Sequence, residues 1–267
     1  MSISGDGRGS GILKINNKTI CATTAELNHL VARRWATLAA EAIRDHGAFH
    51  VALAGGSTPQ QLYTTLAGAD YARQIDWTCV HIYFGDERHV PPDHEDSNYA
   101  MAYHALLKHV PVATGHVHRI RCENSDARDV AGDYARELEA SLPRNEQQQP
   151  VLDLVLLGLG PDGHIASLFP GTDILEQHDA PVAAVYVEKL SAWRVSLTYP
   201  VIDRARHIFI LVTGSNKAAI VRDVFKGHKG PVYPVERLRP EGQLHWYLEQ
   251  SAAGGIDEDY HDTNTGC

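Results

Sequence analysis

A histidine two residues after an aspartate, on a turn bounded by glycines, is the part of this chain best equipped to move protons. The turn is Gly160-Pro161-Asp162-Gly163-His164, directly after the apolar run Leu152–Leu159. Imidazole has an ordinary pKa of about 6.5, so it exchanges protons near neutrality, and an adjacent carboxylate fixes its tautomer and raises its basicity. His164 is the candidate general base and Asp162 its orienting partner, against the plainer alternative of a structural histidine. The chain has 16 histidines, so abundance singles out none, and only His164 sits in such a turn. Gly158, Gly160 and Gly163 also satisfy G-x-G-x-x-G, with Glu188 near the distance of a ribose-binding acid. Pro161 inside the loop and Pro170-Gly171 soon after it argue against the crossover helix of a dinucleotide site. What remains places His164 in the first turn of a short helix.

Three other segments are suited to anions. In Ala54-Gly55-Gly56-Ser57-Thr58-Pro59 the glycines let backbone N–H groups approach a phosphate, while Ser57 and Thr58 add hydroxyl donors at a helix start. An ordinary capped turn is the alternative, and no Gly-Lys-Ser/Thr follows to make it a P-loop. In Phe84-Gly85-Asp86-Glu87-Arg88 the two carboxylates point to opposite sides of extended chain, which argues against a glycosidase pair. Asp86 reads as a substrate-hydroxyl or base residue and Arg88 as an anion clamp, with a local Asp–Arg ion pair as the competing assignment. Arg194, in Trp193-Arg194-Val195-Ser196, and Lys217, in Gly214-Ser215-Asn216-Lys217, supply further cations. Lys217 falls in the first turn of a helix, where a cation opposes the dipole unless an anion binds there. Arg194 reads equally as a surface charge on an edge strand.

Strands and helices must alternate to bring these loops together. Ile12 to Cys21 reads as two short strands around Asn16-Asn17, followed by a long helix capped by Thr23 or Thr24 and ended by Gly47. Buried strands are predicted at Phe49–Ala54, Cys79–Phe84, Leu152–Leu159, Val182–Glu188, Trp193–Thr198 and His207–Val212, mostly apolar runs of the kind found inside a parallel sheet. Helices are predicted at Pro59–Ala67, Asn98–His109, Asp126–Leu142 and Ser215–Phe225. The pattern predicts an α/β fold with an open, mostly parallel sheet and helices on both faces. One domain spans 12–254, with 1–11 a flexible start, 255–267 an acidic, disordered tail, and Arg144–Pro150 a connector too short to divide it. Ligands in such sheets gather at the carboxyl ends of strands, so the loops after Ala54, Phe84, Leu159 and Val212 come first.

Composition narrows the partners. With 24 Lys+Arg against 33 Asp+Glu the net charge is −9, which offers no global field for nucleic acid or an anionic membrane. An anionic substrate then needs a local cationic pocket. The four cysteines are scattered and form no CxxC pair, and no signal peptide or membrane span is evident, which points to the cytoplasm. His116-x-His118 lacks a third ligand at metal spacing, and His245, His261 and Asp262 lie near the tail, so no metal is assigned. No Gly-x-Ser-x-Gly elbow supplies a serine nucleophile.

Taken in order, the segments Gly55–Pro59, Phe84–Arg88, Leu157–Pro170, Arg194–Thr198 and Lys217 resemble the 6-phosphogluconolactonases of the glucosamine-6-phosphate isomerase/deaminase superfamily. The resemblance implies a Rossmann-like sheet and cofactor-free hydrolysis of 6-phospho-D-glucono-1,5-lactone in the oxidative pentose phosphate pathway. It places phosphate among Gly55, Gly56, Ser57, Thr58, Arg88, Arg194 and Lys217, with His164 as base, Asp162 orienting it and Asp86 beside the substrate. The expected partner is thus a small phosphosugar lactone, bound by a monomer or small homo-oligomer. Backbone N–H groups of Gly160–Gly163 and a nearby cation are the candidate stabilisers of the oxyanion. Related deaminases continue from Gly-x-Asp-Gly-His toward Asn-Glu-Pro, whereas this chain has Leu168-Phe169-Pro170, and Phe169 cannot relay a proton. They also carry tyrosine where Arg88 stands. Deamination and non-catalytic sugar-phosphate sensing are the alternatives, although no helix-turn-helix accompanies the latter.

Overall fold

In a computed structural model, which describes residues 17–123 and 126–256, Thr23 lies in extended backbone and its hydroxyl accepts the Glu26 N–H. The first helix, α1 (Thr24–His46), therefore starts at a side-chain cap. It buries Leu27, Val31, Trp35, Leu38 and Ala42 as one stripe at helical spacing. Gly47 closes it, its N–H on the Ile43 carbonyl at 2.9 Å. Strand β1 (Lys18–Cys21) precedes α1, and β2 (Phe49–Leu53), α2 (Ser57–Ala67), α3 (Ala69–Ala72), β3 (Val80–Phe84), β4 (Asp86–Arg88), α4 (Asn98–Ala105) and α5 (Ala127–Ser141) follow. Then come β5 (Leu154–Gly158), β6 (Val182–Val187), β7 (Ala192–Leu197), α6 (Tyr199–Asp203), β8 (His207–Val212), α7 (Ala218–Lys226), β9 (Gln243–Glu249) and α8 (Gln250–Ala253). The expected flexible start, the first of the two predicted N-terminal strands and most of the expected tail lie outside the described residues.

Six strands form one sheet in the order β1-β9-β8-β5-β2-β3, every neighbouring pair parallel, with helices flanking it. Every residue of β2 is buried, as a strand covered on both faces requires. The chain runs from β2 outward to β3 on one side and from β5 outward to β8 on the other. A crevice for ligands forms outside the carboxyl ends of strands at such a reversal. The loops leaving β2, β5 and β8 there carry Gly55–Thr58, Gly160–His164 and Thr213–Lys217. Among the described residues no helix is long and apolar enough to cross a membrane.

Two expectations fail in instructive ways. The strands predicted at Val182–Glu188 and Trp193–Thr198 are not in the parallel sheet: β6 and β7 form an antiparallel hairpin, joined to β4 in a separate three-stranded sheet. Only four residues separate them, far too few for a parallel crossover, and the end of β6 alternates, with Tyr186 exposed between buried Val185 and Val187. The short helix expected after His164 is a tight turn instead, its Leu168 N–H bonded to the Ile165 carbonyl at 2.9 Å and Ala166 in left-handed backbone at φ 47°. Pro170 denies that stretch the length a helix needs. In addition, α4 stops at Ala105 and a 3-10 turn, Leu107–His109, completes the helix predicted to run to His109.

At the β3 edge of the sheet, imidazoles are stacked. His50 and His81 pair in register on β2 and β3 with ring centroids 4.7 Å apart, and His116 packs on His81 at 3.9 Å. His81 also meets His118 (Nδ1 to Nε2, 3.1 Å), whose other nitrogen bonds Glu137 at 2.5 Å. Burial, reinforced by the neighbouring imidazoles, lowers His50 to about 3 and His81 to about 4. His50 and His81 are consequently uncharged at neutral pH. Both groups hold fewer protons folded than unfolded below pH 6.5, so stability is lost as pH falls from 6.5 toward 4. Urea unfolding at pH 7, 6 and 5 should show His50 alone removing about 1 kcal/mol per pH unit across that range, with less from half-buried His81. A His50→Leu variant should lose about one proton's worth of that slope; an unchanged slope would show the stack to be electrostatically inert.

Candidate active site

The turn after β5 is closed by its own backbone: the Gly160 N–H bonds the His164 carbonyl at 2.8 Å and the Gly163 N–H bonds the Gly160 carbonyl at 3.0 Å. Gly163 adopts φ 75° and packs on Tyr233, where a Cβ would stand 2.6 Å from that side chain's own Cβ. Within this frame the His164 Nδ1 lies 2.5 Å from Asp162 Oδ1. The second oxygen, Oδ2, takes a hydrogen bond from Lys189. Burial by itself would raise the Asp162 carboxyl, but the bonds from Lys189 and His164 outweigh it and hold the group at about 2. Burial pushes His164 below its ordinary value, only partly offset by Asp162. An ionised Asp162 can only accept, so Nδ1 carries the hydrogen and Nε2 keeps a lone pair for a proton. Phe169 packs on the imidazole with centroids 4.1 Å apart, fixing its plane.

Buried tyrosines set the ends of the neighbouring strands. Tyr63 on α2 donates to the Ala54 carbonyl at 2.8 Å and accepts the Ala54 N–H at 2.9 Å, pinning the start of the Gly55–Thr58 loop. Tyr134 on α5 does the same for Phe84. The loop after β2 meets the loop after β8 through the Thr58 and Thr213 hydroxyls, 2.6 Å apart. Arg88 on β4 and Arg194 on β7 are directly opposite in the antiparallel register. Their Nε atoms are buried with no protein acceptor among the described residues, which is chemistry that favours an anion between or beside them. Burial and the nearness of Arg88 lower Arg194, and burial lowers Lys217.

Asp86 and Glu87 do face opposite ways. Asp86 accepts from Ser167 Oγ at 2.6 Å and Asn98 Nδ2 at 3.2 Å, at the edge of the cavity. Glu87, 2% exposed, accepts the N–H groups of Arg88, Asn98 and Tyr99 and the Ser97 hydroxyl, so its carboxylate anchors the start of α4. The competing assignment, a local Asp86–Arg88 ion pair, is absent among the described contacts; Arg88 Nη1 donates to the Asp96 carbonyl at 2.5 Å instead.

A cavity of about 600 Å³ joins these parts, within the range of small-molecule sites. Gly55, Gly56, Ser57, Thr58, Asp86, Arg88, His164, Arg194 and Lys217 all line it; Asp162 stands behind His164. Lys189, Asn98 and Ser167 belong to the site as well and were missed. Asn98 and Ser167 carry no motif of their own, and Lys189 lies on a hairpin turn whose reach across the cavity depends on the small sheet. One expectation is corrected: the Gly160 and Gly163 N–H groups are spent inside the turn and are not free to meet an oxyanion.

A reversed parallel sheet with a cation-lined cavity and a carboxylate-held imidazole at its strand ends defines an α/β enzyme of the class that takes small anionic substrates. The family described as glucosamine-6-phosphate isomerases/6-phosphogluconolactonase matches residues 22–246, and the chain belongs to it. A 6-phosphogluconolactonase of Nostoc sp. is 36% identical over 216 residues, 80% of this chain and 88% of that one. One from Haemophilus influenzae is 36% identical over 205 residues, 76% and 85% of the two chains. The solved 6-phosphogluconolactonase of Trypanosoma brucei superposes with a TM-score of 0.80 at 30% identity, covering 90% of this chain and 98% of that one.

Proposed function

We infer that this chain hydrolyses 6-phospho-D-glucono-1,5-lactone to 6-phospho-D-gluconate, the lactonase step of the oxidative pentose phosphate pathway. The observation that carries it is the Asp162–His164 pair, unprotonated on the imidazole and packed on Phe169, in the same cavity as Gly55–Thr58, Arg88, Arg194 and Lys217. The second group holds the phosphate and so delivers C1 of the lactone to the first. His164 Nε2 takes a proton from water as its oxygen adds to C1. The tetrahedral oxyanion then collapses, the bond from C1 to the ring oxygen breaks, and the imidazolium returns the proton to that oxygen. Asp162 keeps the imidazole in the working tautomer. Asp86, already engaged by Ser167 and Asn98, positions substrate rather than acting as base. No cofactor takes part. The net charge of −9 supports a protein that binds neither nucleic acid nor an anionic membrane, and the scattered cysteines, with no CxxC pair, support a cytoplasmic setting.

Deamination of an amino-sugar phosphate is the second reading, since the family includes both activities in its description. Phe169 weighs against it, because an apolar ring packs on His164 where a proton-relaying carboxylate is needed. Assays run side by side decide the matter: lactone loss corrected for spontaneous hydrolysis, and ammonia release from glucosamine 6-phosphate. Lactone loss without ammonia is expected; ammonia release would refute the lactonase reading. Arg194→Ala and Lys217→Ala should each raise KM about tenfold or more with a smaller change in kcat, as loss of one charge-assisted contact to a remote phosphate predicts. A fall confined to kcat would remove these residues from phosphate binding.

A further inference from the structure

Lys189 ties together two separately built parts of the cavity. It lies on the Glu188–Leu190 turn between β6 and β7, which closes through Ser191 in left-handed backbone at φ 49°. From the small sheet its side chain reaches Asp162 Oδ2 on the loop leaving β5 of the large sheet. Its Nζ rides over the Phe169 ring, 4.6 Å from the centroid. The Asp162 carboxylate is therefore divided, one oxygen on the ammonium and the other on His164 Nδ1. Phe169 is shared in the same manner, packed on the imidazole while lying beneath the ammonium.

We propose that Lys189 is a positioning residue for the base: it holds Asp162 so that a single oxygen faces His164, and its charge sets how far down the pH scale the imidazole remains unprotonated. The proposal rests on His164 being the base of the lactonase reaction. The groups acting on that imidazole are Asp162 from its own turn, Asp86 from β4 and Lys189 from the hairpin. Lys217, from the loop after β8, acts on Asp162, and Arg88 and Arg194 line the same cavity. Asp162 and Asp86 draw a proton onto the ring, while Lys189 opposes them and absorbs part of the Asp162 charge. Without the ammonium, Asp162 presents its full charge to the imidazole, whose proton affinity rises. The acid limb of activity then moves to higher pH. The Lys189 side chain is 52% exposed, so its loss leaves the core intact.

The test compares wild type, Lys189→Met and Lys189→Arg by kcat/KM against pH and by NMR titration of the His164 ring, its signal assigned by disappearance in His164→Gln. In Lys189→Met the His164 titration and the acid limb should both rise by about one pH unit, and Lys189→Arg should restore them. Unmoved His164 titration would overturn the proposal. So would a tenfold lower plateau with the acid limb in place, which would put the ammonium on the reacting carbonyl. The titration needs no turnover, so a wild-type protein inactive on lactone would refute the proposed function while the Lys189 result still stood.

Discussion

Replacing His164 with alanine should lower kcat for lactone hydrolysis by about a hundredfold or more, the contribution of a well-placed general base. KM should change far less, because Gly55–Thr58, Arg88, Arg194 and Lys217 lie on other loops and none bonds the imidazole. The variant should still fold, since the ring is half-buried and the turn is closed by backbone hydrogen bonds. Steady-state kinetics after subtraction of the spontaneous rate measure this. Unchanged kcat would require another base, and no other histidine among the described residues lines the cavity.

Gly160→Ala should be nearly as damaging, for a steric reason. A Cβ on Gly160 would stand 2.0 Å from His164 Nδ1 and 2.7 Å from Asp162 Oδ1. Both atoms are at the ends of rotatable side chains, so the fold can accommodate the methyl by pushing the imidazole and carboxylate aside. Stability should consequently move little while catalysis suffers, since about an ångström of misplacement can cost on the order of a hundredfold in rate. The comparison is kcat against thermal midpoint in the same preparation. A variant with wild-type kcat would mean that the Asp162–His164 geometry is not what catalysis requires.

Much of this arrangement was legible in the sequence because it depends on local chemistry. Thr23 and Gly47 bound α1, and the run from Phe49 to Leu53 reads as a strand buried on both faces. The Gly160–His164 turn was recognisable because proline and glycine restrict the backbone around two groups that can share a proton. The small sheet was not legible. Alternation in β6 and β7 is weak, and their apolar content resembles that of the parallel strands until the four-residue connection is given weight. Lys189, Asn98, Ser167 and Glu87 depend on tertiary placement. Each gains its role from a partner at least ten residues away, such as Asp162 for Lys189 or Asp86 for Ser167. The histidine stack escaped for the same reason: His116-x-His118 lacks a third neighbour in sequence, and β3 brings it His81.

The most direct test of the account is the rate of 6-phospho-D-glucono-1,5-lactone loss with purified protein, against the same lactone alone at matched pH. The account predicts a protein-dependent rate that is proportional to enzyme concentration, saturates with substrate and falls by about a hundredfold or more in His164→Ala. Lactone decay at the spontaneous rate, in the presence of folded wild-type protein, would contradict it.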